Sequence, residues 1–377
     1  MLSKFRLIRP RLSRALSSYS RGDEFTPRDD LNLNSVLLEA CETHADKVQY
    51  WIQVEGREIT YGEMNELAEQ LASGLLAAGH KPGDRIGVWG PNQSPWVITK
   101  WACYKAGFQL VTLNPMYTAR ELEYACNKVN IAAIVCPKEI GPLDYHAKIE
   151  EMCPMLQTQT RGALNFENVP SLRSVTYYNS DEVFGGVYNF DELMNAGGSN
   201  ELNIIKGLKV DPQLPANIQF TSGTTGAPKA AALSHYNMIN NALAVQQATT
   251  EAFLNDPTQD HSLPLPLDDN TKWCCLVPLY HVFGFVGVSV ISALAKCEVA
   301  FPHPGFSSDM ALNAIEARGA TIMSGTPTMM IDIINNPERT DYDVSSLRYL
   351  SVGGAPVTTS LIKDCDEKLD ARVSVSK

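Results

Sequence analysis

Capped helical stretches that alternate with short apolar runs constrain the fold of this chain more than any other feature of its sequence. Thr60 with Glu63 makes a capping box, and Met64, Leu67, Leu71, Leu75 and Ala78 then recur at helical spacing until Gly79 stops the helix. Arg85 to Trp89 reads as a short strand. The unit repeats: a helix over about 94–106, a strand over 108–113, a turn at Asn114-Pro115, and a second capping box, Thr118 with Glu121, whose helix leads to a strand over 131–136. Elements in this order make βαβ units, because a parallel neighbour needs a crossover long enough to hold a helix. The stretch 137–200 is less regular and richer in Pro, Gly, Asn and Gln, and is expected to be a connection or an insertion. A second α/β stretch opens near Pro215, with strands at 218–221, 273–277, 298–301 and 347–352. Helices are expected at 235–248, near 284–295 and after Ser307. The expectation is an α/β fold of mixed, largely parallel sheets with flanking helices.

At 377 residues, 44% of them apolar, the chain can bury a sizeable core as two subdomains or one large domain. Its net charge of -11 disfavours nucleic acid as a partner. That charge is unevenly placed. Lys4, Arg6, Arg9, Arg11, Arg14 and Arg21 all precede the first acid, Asp23, and without them the balance falls from -11 to -17. With Ser3, Ser13, Ser17, Ser18 and Ser20 among Leu, Phe and Ile, residues 1–22 read as a transit peptide for import into the mitochondrial matrix, against the plainer alternative of a basic tail. The longest nearly uncharged apolar run, Val282 to Ala295, is too short for a membrane span, which needs about 20 residues. The nine cysteines contain no CxxC and are odd in number, so reduced thiols are expected. The histidines contain no HxxxH or HExxH, and no metal site is assigned.

One stretch carries chemistry. An apolar strand runs into Thr221-Ser222-Gly223-Thr224-Thr225-Gly226-Ala227-Pro228-Lys229, which combines four hydroxyls, two glycines and a lysine. Polyphosphate needs that inventory, because glycines let backbone N–H groups approach anionic oxygens, hydroxyls add donors and a lysine adds a mobile charge. The spacing differs from GxxxxGK[ST], and Ala230 follows the lysine, which disfavours a P-loop NTPase. A Thr/Gly-rich surface turn is the plainer alternative, but turns seldom combine so many phosphate-competent donors.

The segment resembles the phosphate-binding signature of the AMP-forming adenylate ligases, the family of acyl-CoA synthetases. Leu113-Asn-Pro-Met-Tyr117-Thr118 through Glu121-Leu-Glu-Tyr124, Pro278-Leu-Tyr-His281-Val-Phe-Gly284 and Val352-Gly-Gly-Ala-Pro356 are similar to further stretches of that family, over roughly residues 35 to 370. Together with the leader, the likeness is greatest to the mitochondrial medium-chain acyl-CoA synthetases. The resemblance implies the N-terminal domain of the adenylate-forming ligase fold over 35–377. It also implies ATP and a medium-chain fatty acid as substrates, CoA as co-substrate and Mg²⁺ as the metal. By the same resemblance Thr221, Ser222, Gly223, Thr224, Thr225, Gly226 and Lys229 would hold the β- and γ-phosphates. His281 would border the carboxylate as the catalytic residue, and Gly353, Gly354, Ala355 and Pro356 would lie along the adenine. Taken alone, His281 reads equally as a structural histidine behind a proline turn, and Gly353-Gly354 as a plain strand-to-helix turn. The family's Tyr-Gly-x-Thr-Glu motif, whose glutamate helps hold Mg²⁺, occurs nowhere in the sequence. Neither the ribose-binding aspartate nor the C-terminal lid with its lysine is found after Pro356. The expectation is an incomplete ligase domain, inactive or nearly so alone, with a non-catalytic nucleotide- or acyl-binding protein as the alternative. Oligomeric state is open.

Overall fold

A computed structural model of the chain describes residues 25–221, 227–254 and 267–376. The expected leader, 1–22, and Ser222 to Gly226 lie outside the described residues. The described strands form two seven-stranded sheets and a two-stranded ribbon, Glu139–Ile140 with Leu143–Asp144.

The first sheet runs in the order Lys229–Ser234, Pro215–Thr221, Gln109–Leu113, Arg85–Trp89, Ile131–Pro137, Ser174–Tyr178 and Val187–Asn189. All its pairs are parallel except the hairpin of Pro215–Thr221 with Lys229–Ser234. The second runs Arg372–Ser376, Tyr349–Gly353, Ile322–Gly325, Lys272–Cys275, Glu298–Phe301, Val48–Ile52 and Arg57–Thr60, and only its last pair is antiparallel. The two stretches read from the sequence are therefore not two sheets. Pro215–Thr221 pairs with Gln109–Leu113, and the N-terminal hairpin 48–60 joins the sheet built mostly by the C-terminal half.

The segment 137–200 is not an insertion. Ser174–Tyr178 is buried along its whole length and lies parallel to Ile131–Pro137, with Ala133 opposite Ser174. Its run Ser-Val-Thr-Tyr-Tyr has no apolar alternation, because both faces are covered and the hydroxyls of Ser174 and Tyr177 find partners inside. His80 Nε2 lies 2.7 Å from Ser174 Oγ, and His146 Nδ1 lies 3.1 Å from the Tyr177 hydroxyl.

Both helix starts read from the sequence are present. The helix Tyr61–Ala77 is capped by Thr60 Oγ1, which accepts from Glu63 N, but Glu63 turns its carboxylate to Arg57 (3.5 Å) instead of closing a box. The box at Thr118 is complete, since Glu121 Oε2 accepts from Thr118 N at 2.8 Å and Thr118 Oγ1 accepts from Glu121 N. A core of Tyr50, Tyr61, Leu71, Trp96, Trp101, Phe285, Val288 and Val299 fills the space between the sheets. No described helix is long and apolar enough to cross a membrane.

Candidate functional site

Arg85–Trp89 lies between Gln109–Leu113 and Ile131–Pro137, so the direction of chain progression across the first sheet reverses there. A crevice opens beyond the strand ends at such a reversal. Loops from the second sheet close over it. Asn92 Nδ2 donates to Val277 O (3.0 Å) and Asn92 Oδ1 accepts from Leu279 N (2.8 Å), while Thr112 Oγ1 donates to Tyr280 O (3.0 Å). These three bonds fix the loop Val277 to His281, which the second sheet delivers, to residues of the first.

The result is a cleft of about 340 Å³ lined by Thr112, Asn114, Tyr117, Gln219, Thr221, Pro228, Tyr280 and His281 among others. Thr221 ends the strand Pro215–Thr221 and pairs in register with Lys229, and both are exposed. Ala227 and Pro228 complete the described part of the turn, and Pro228 O accepts from the Tyr124 hydroxyl at 3.0 Å. Ser222, Gly223, Thr224, Thr225 and Gly226 fall outside the described residues, so of the expected phosphate segment only Thr221 and Lys229 can be located. Beneath it, Asn217 Nδ2 donates to Leu110 O and Gln219 Nε2 donates to Asn217 Oδ1, which ties the hairpin to the neighbouring strand.

His281 stands at the end of the cleft as the N-cap of the following helix, and its Nδ1 accepts from Phe283 N at 3.3 Å. That bond places the proton of a neutral imidazole on Nε2. Desolvation by the cleft walls lowers the pKa of His281 from its ordinary value, so the ring is neutral at pH 7. Burial raises Tyr280, and burial with Glu121 nearby raises Tyr117 to about 12, so both present neutral hydroxyls.

On its other side His281 borders a second cavity of about 350 Å³, walled by Trp273, Val286, Ile291, Ile322 and Tyr349, with Gly354 also in its lining. Gly354 adopts a φ of +80°, which a glycine tolerates at no steric cost. Gly353 ends the strand Tyr349–Gly353 and is buried, whereas Ala355 and Pro356 are exposed beyond it. The structure thus places Thr221 and Gly354 in two neighbouring cavities that share His281 and Val282 in their linings. A third cavity, of about 600 Å³ and lined by Met116, Leu143, Tyr145, Leu276, Pro278 and Phe306 among others, shares Asn114 and Tyr280 with the cleft.

Sequence reasoning missed Asn92, Thr112, Tyr117, Gln219 and Tyr280. An isolated Asn or Thr carries no periodic or motif signal, whereas Tyr117 and Tyr280 stood inside quoted segments and Gln219 in the strand that runs into Thr221. Among the described residues no group of three or more His, Cys, Asp or Glu could hold a metal ion, and the cleft lining contains no carboxylate.

The fold is that of the N-terminal domain of adenylate-forming ligases. The structure superimposes on the anthranilate-CoA ligase AuaEII solved with anthranoyl-AMP at a TM-score of 0.75, with 18% identity, covering 92% of this chain and 60% of that one. It superimposes on a long-chain-fatty-acid-CoA ligase from Archaeoglobus fulgidus at 0.73, with 22% identity, covering 95% and 65%. The family model for AMP-binding enzymes matches residues 37–376, and the chain belongs to that family. In sequence it is 35% identical over 356 residues to the mitochondrial medium-chain acyl-CoA ligase ACSF2 of Danio rerio, covering 94% of this chain and 56% of the relative. The chain spans a little over half the length of that relative.

Proposed function

We propose that this chain forms the ATP- and acyl-binding part of a mitochondrial ligase that activates a medium-chain fatty acid. The observation that carries the reading is the position of His281 between a cleft whose lining includes Thr112, Asn114, Gln219 and Thr221 and a more apolar cavity that includes Gly354. A fatty acid needs that junction, with its chain in the apolar cavity and its carboxylate facing the phosphates.

In this reading Thr221, Ser222, Gly223, Thr224, Thr225, Gly226 and Lys229 hold the β- and γ-phosphates of ATP, and Gly353, Gly354, Ala355 and Pro356 lie along the adenine. A carboxylate oxygen attacks the α-phosphorus and pyrophosphate leaves, giving an acyl-adenylate. The CoA thiolate then attacks the acyl carbon and AMP leaves. The protein's part is positioning and charge stabilisation. His281 suits the junction because a neutral Nε2–H orients the carboxylate by one hydrogen bond, whereas an imidazolium would form an ion pair and blunt the nucleophile. The third cavity, meeting the cleft at Asn114 and Tyr280, offers the thiol a separate approach.

The described residues do not fit Mg²⁺, since no carboxylate is among those that line the cleft. The same observation favours a second reading, a protein that binds nucleotide or acyl ligands without catalysis. Titration of the 377-residue protein with ATP tests the shared part. Lys229→Ala is expected to weaken binding at least about tenfold, the worth of a charge-assisted hydrogen bond, and Gly223→Val to do so by blocking backbone approach to phosphate. Unchanged affinity in both variants overturns the phosphate assignment. Pyrophosphate release on adding octanoate separates the catalytic reading from the second one.

A further inference from the structure

The apolar run from Val282 to Ala295 is not a regular helix. Its middle, Phe285–Val290, is a π turn, and Ile291 N donates to Val286 O, five residues back. His281, Val286 and Ile291, spaced by five, all line the cavity beside His281, as do Val282 and Gly287. In an α-helix residues five apart point about 140° away from each other, whereas i→i+5 bonding brings them close to one face. The π turn is therefore what gives this wall of the cavity its residues.

Behind the wall, away from the cavity, lies a polar cluster in an otherwise apolar core. Lys100, from the helix Ser94–Lys105, is fully buried with no carboxylate partner among the described residues, and its Nζ donates to Ser289 Oγ at 2.5 Å. Ser289 belongs to the π turn. Its Oγ also lies 3.1 Å from the Tyr50 hydroxyl, which accepts from Trp101 Nε1 at 3.3 Å and from Lys100 Nζ at 3.5 Å. Lys100 Nζ sits 4.0 Å from the Trp101 ring. Burial drives the Lys100 pKa well below its ordinary value, and the amine spends its hydrogen bonds on Ser289 of the turn and on Tyr50. Ser292 Oγ donates to Ser289 O at 3.2 Å and so takes up a carbonyl of the π turn. Burying an amine here carries a cost that an apolar side chain of similar volume would avoid, and the group it engages is the serine of the π turn.

We propose that Lys100, acting through Ser289, is a positioning residue that holds the helix in its π turn, so that Val286 and Ile291 face the acyl cavity and set its preference for chain length. Relaxation of the turn to α geometry would rotate one side of it by about 100° relative to the other and remove one of these side chains from the wall. The selectivity part rests on the acyl assignment made above, and the holding part does not.

The test uses the 377-residue protein with Lys100→Met, Ser289→Ala and the polar replacement Lys100→Gln, each checked by near-UV circular dichroism. Backbone amide exchange across 282–295 is expected to speed up at least about fivefold in Lys100→Met and Ser289→Ala, and to be largely restored in Lys100→Gln. Displacement of a fluorescent fatty acid by saturated acids of 4 to 16 carbons is expected to show the ratio of affinities for 8 and 12 carbons shifting about tenfold in the first two variants, the discrimination available from one or two methylenes. Unchanged exchange in folded Ser289→Ala overturns the holding role. Altered exchange with an unaltered chain-length profile overturns the selectivity role. Failure of the unmodified protein to bind any of the acids overturns the acyl assignment, while exchange still decides whether Lys100 holds the turn.

Discussion

Two histidines show how position decides what an imidazole can do. His281 meets the cleft and keeps Nε2–H free for a ligand, whereas His235 is 2% exposed and spends its Nδ1 on Leu33 N at 3.1 Å, with the Tyr104 ring at 5.5 Å. Burial lowers the His235 pKa to about 4. Protonation would turn its acceptor nitrogen into a donor facing a donor. The folded state therefore binds fewer protons than the unfolded state between the unfolded pKa near 6.5 and about 4. Stability is complete above that range, falls as pH drops through it, and loses no more below it. Between pH 7 and pH 5 the loss is expected to be roughly 2 kcal/mol, read from urea unfolding at the two pH values. His235→Gln keeps an acceptor without a titration and should remove most of the difference, and an equal loss in that variant would assign the acid sensitivity to another group. Nothing in the sequence separates the two histidines except that one follows a proline turn and the other an alanine-rich strand.

The segment Pro278 to Gly284 works as a turn pressed against its own helix start. A Cβ on Gly284 would lie 2.4 Å from Pro278 O, a backbone atom that Asn92 and Thr112 keep from moving by fixing the residues on either side of it. Gly284→Ala is expected to cost about 2 kcal/mol of stability, the usual scale of overpacking, and to weaken fatty-acid binding by displacing His281. Both are measurable on one preparation by denaturation and displacement titration, and wild-type values for both would show that the loop can yield. Apolar content made this stretch legible as a helix, but the π turn was not legible. Its cause is a lysine and a serine that meet across 189 positions of sequence, and helical periodicity carries no trace of such a partner. Ser174–Tyr178 was missed for a related reason, since a strand covered on both faces need not alternate.

At the scale of the whole molecule, the two sheets are interleaved in sequence. Val48–Ile52 pairs with Glu298–Phe301, and Pro215–Thr221 with Gln109–Leu113, so neither sheet can be completed by one contiguous half of the chain. The core between them takes side chains from both, among them Tyr50, Trp101 and Phe285. For the six cations before Asp23 we propose a role in delivery. A reporter fused to residues 1–40 is expected to enter mitochondria, as read by fractionation and protease protection. A cytosolic reporter would leave the basic-tail alternative.

The sequence by itself determined the α/β class and most element starts, because capping and periodicity act within a few residues of each other. The tertiary structure alone decided which strands share a sheet, that His281 joins the cleft of Thr221 to the cavity of Gly354, and that Asn92, Thr112 and Lys100 hold the pieces in place. Those choices rest on long-range pairings whose energy comes from burial and from satisfying buried polar groups, and both depend on which distant residue arrives as the partner.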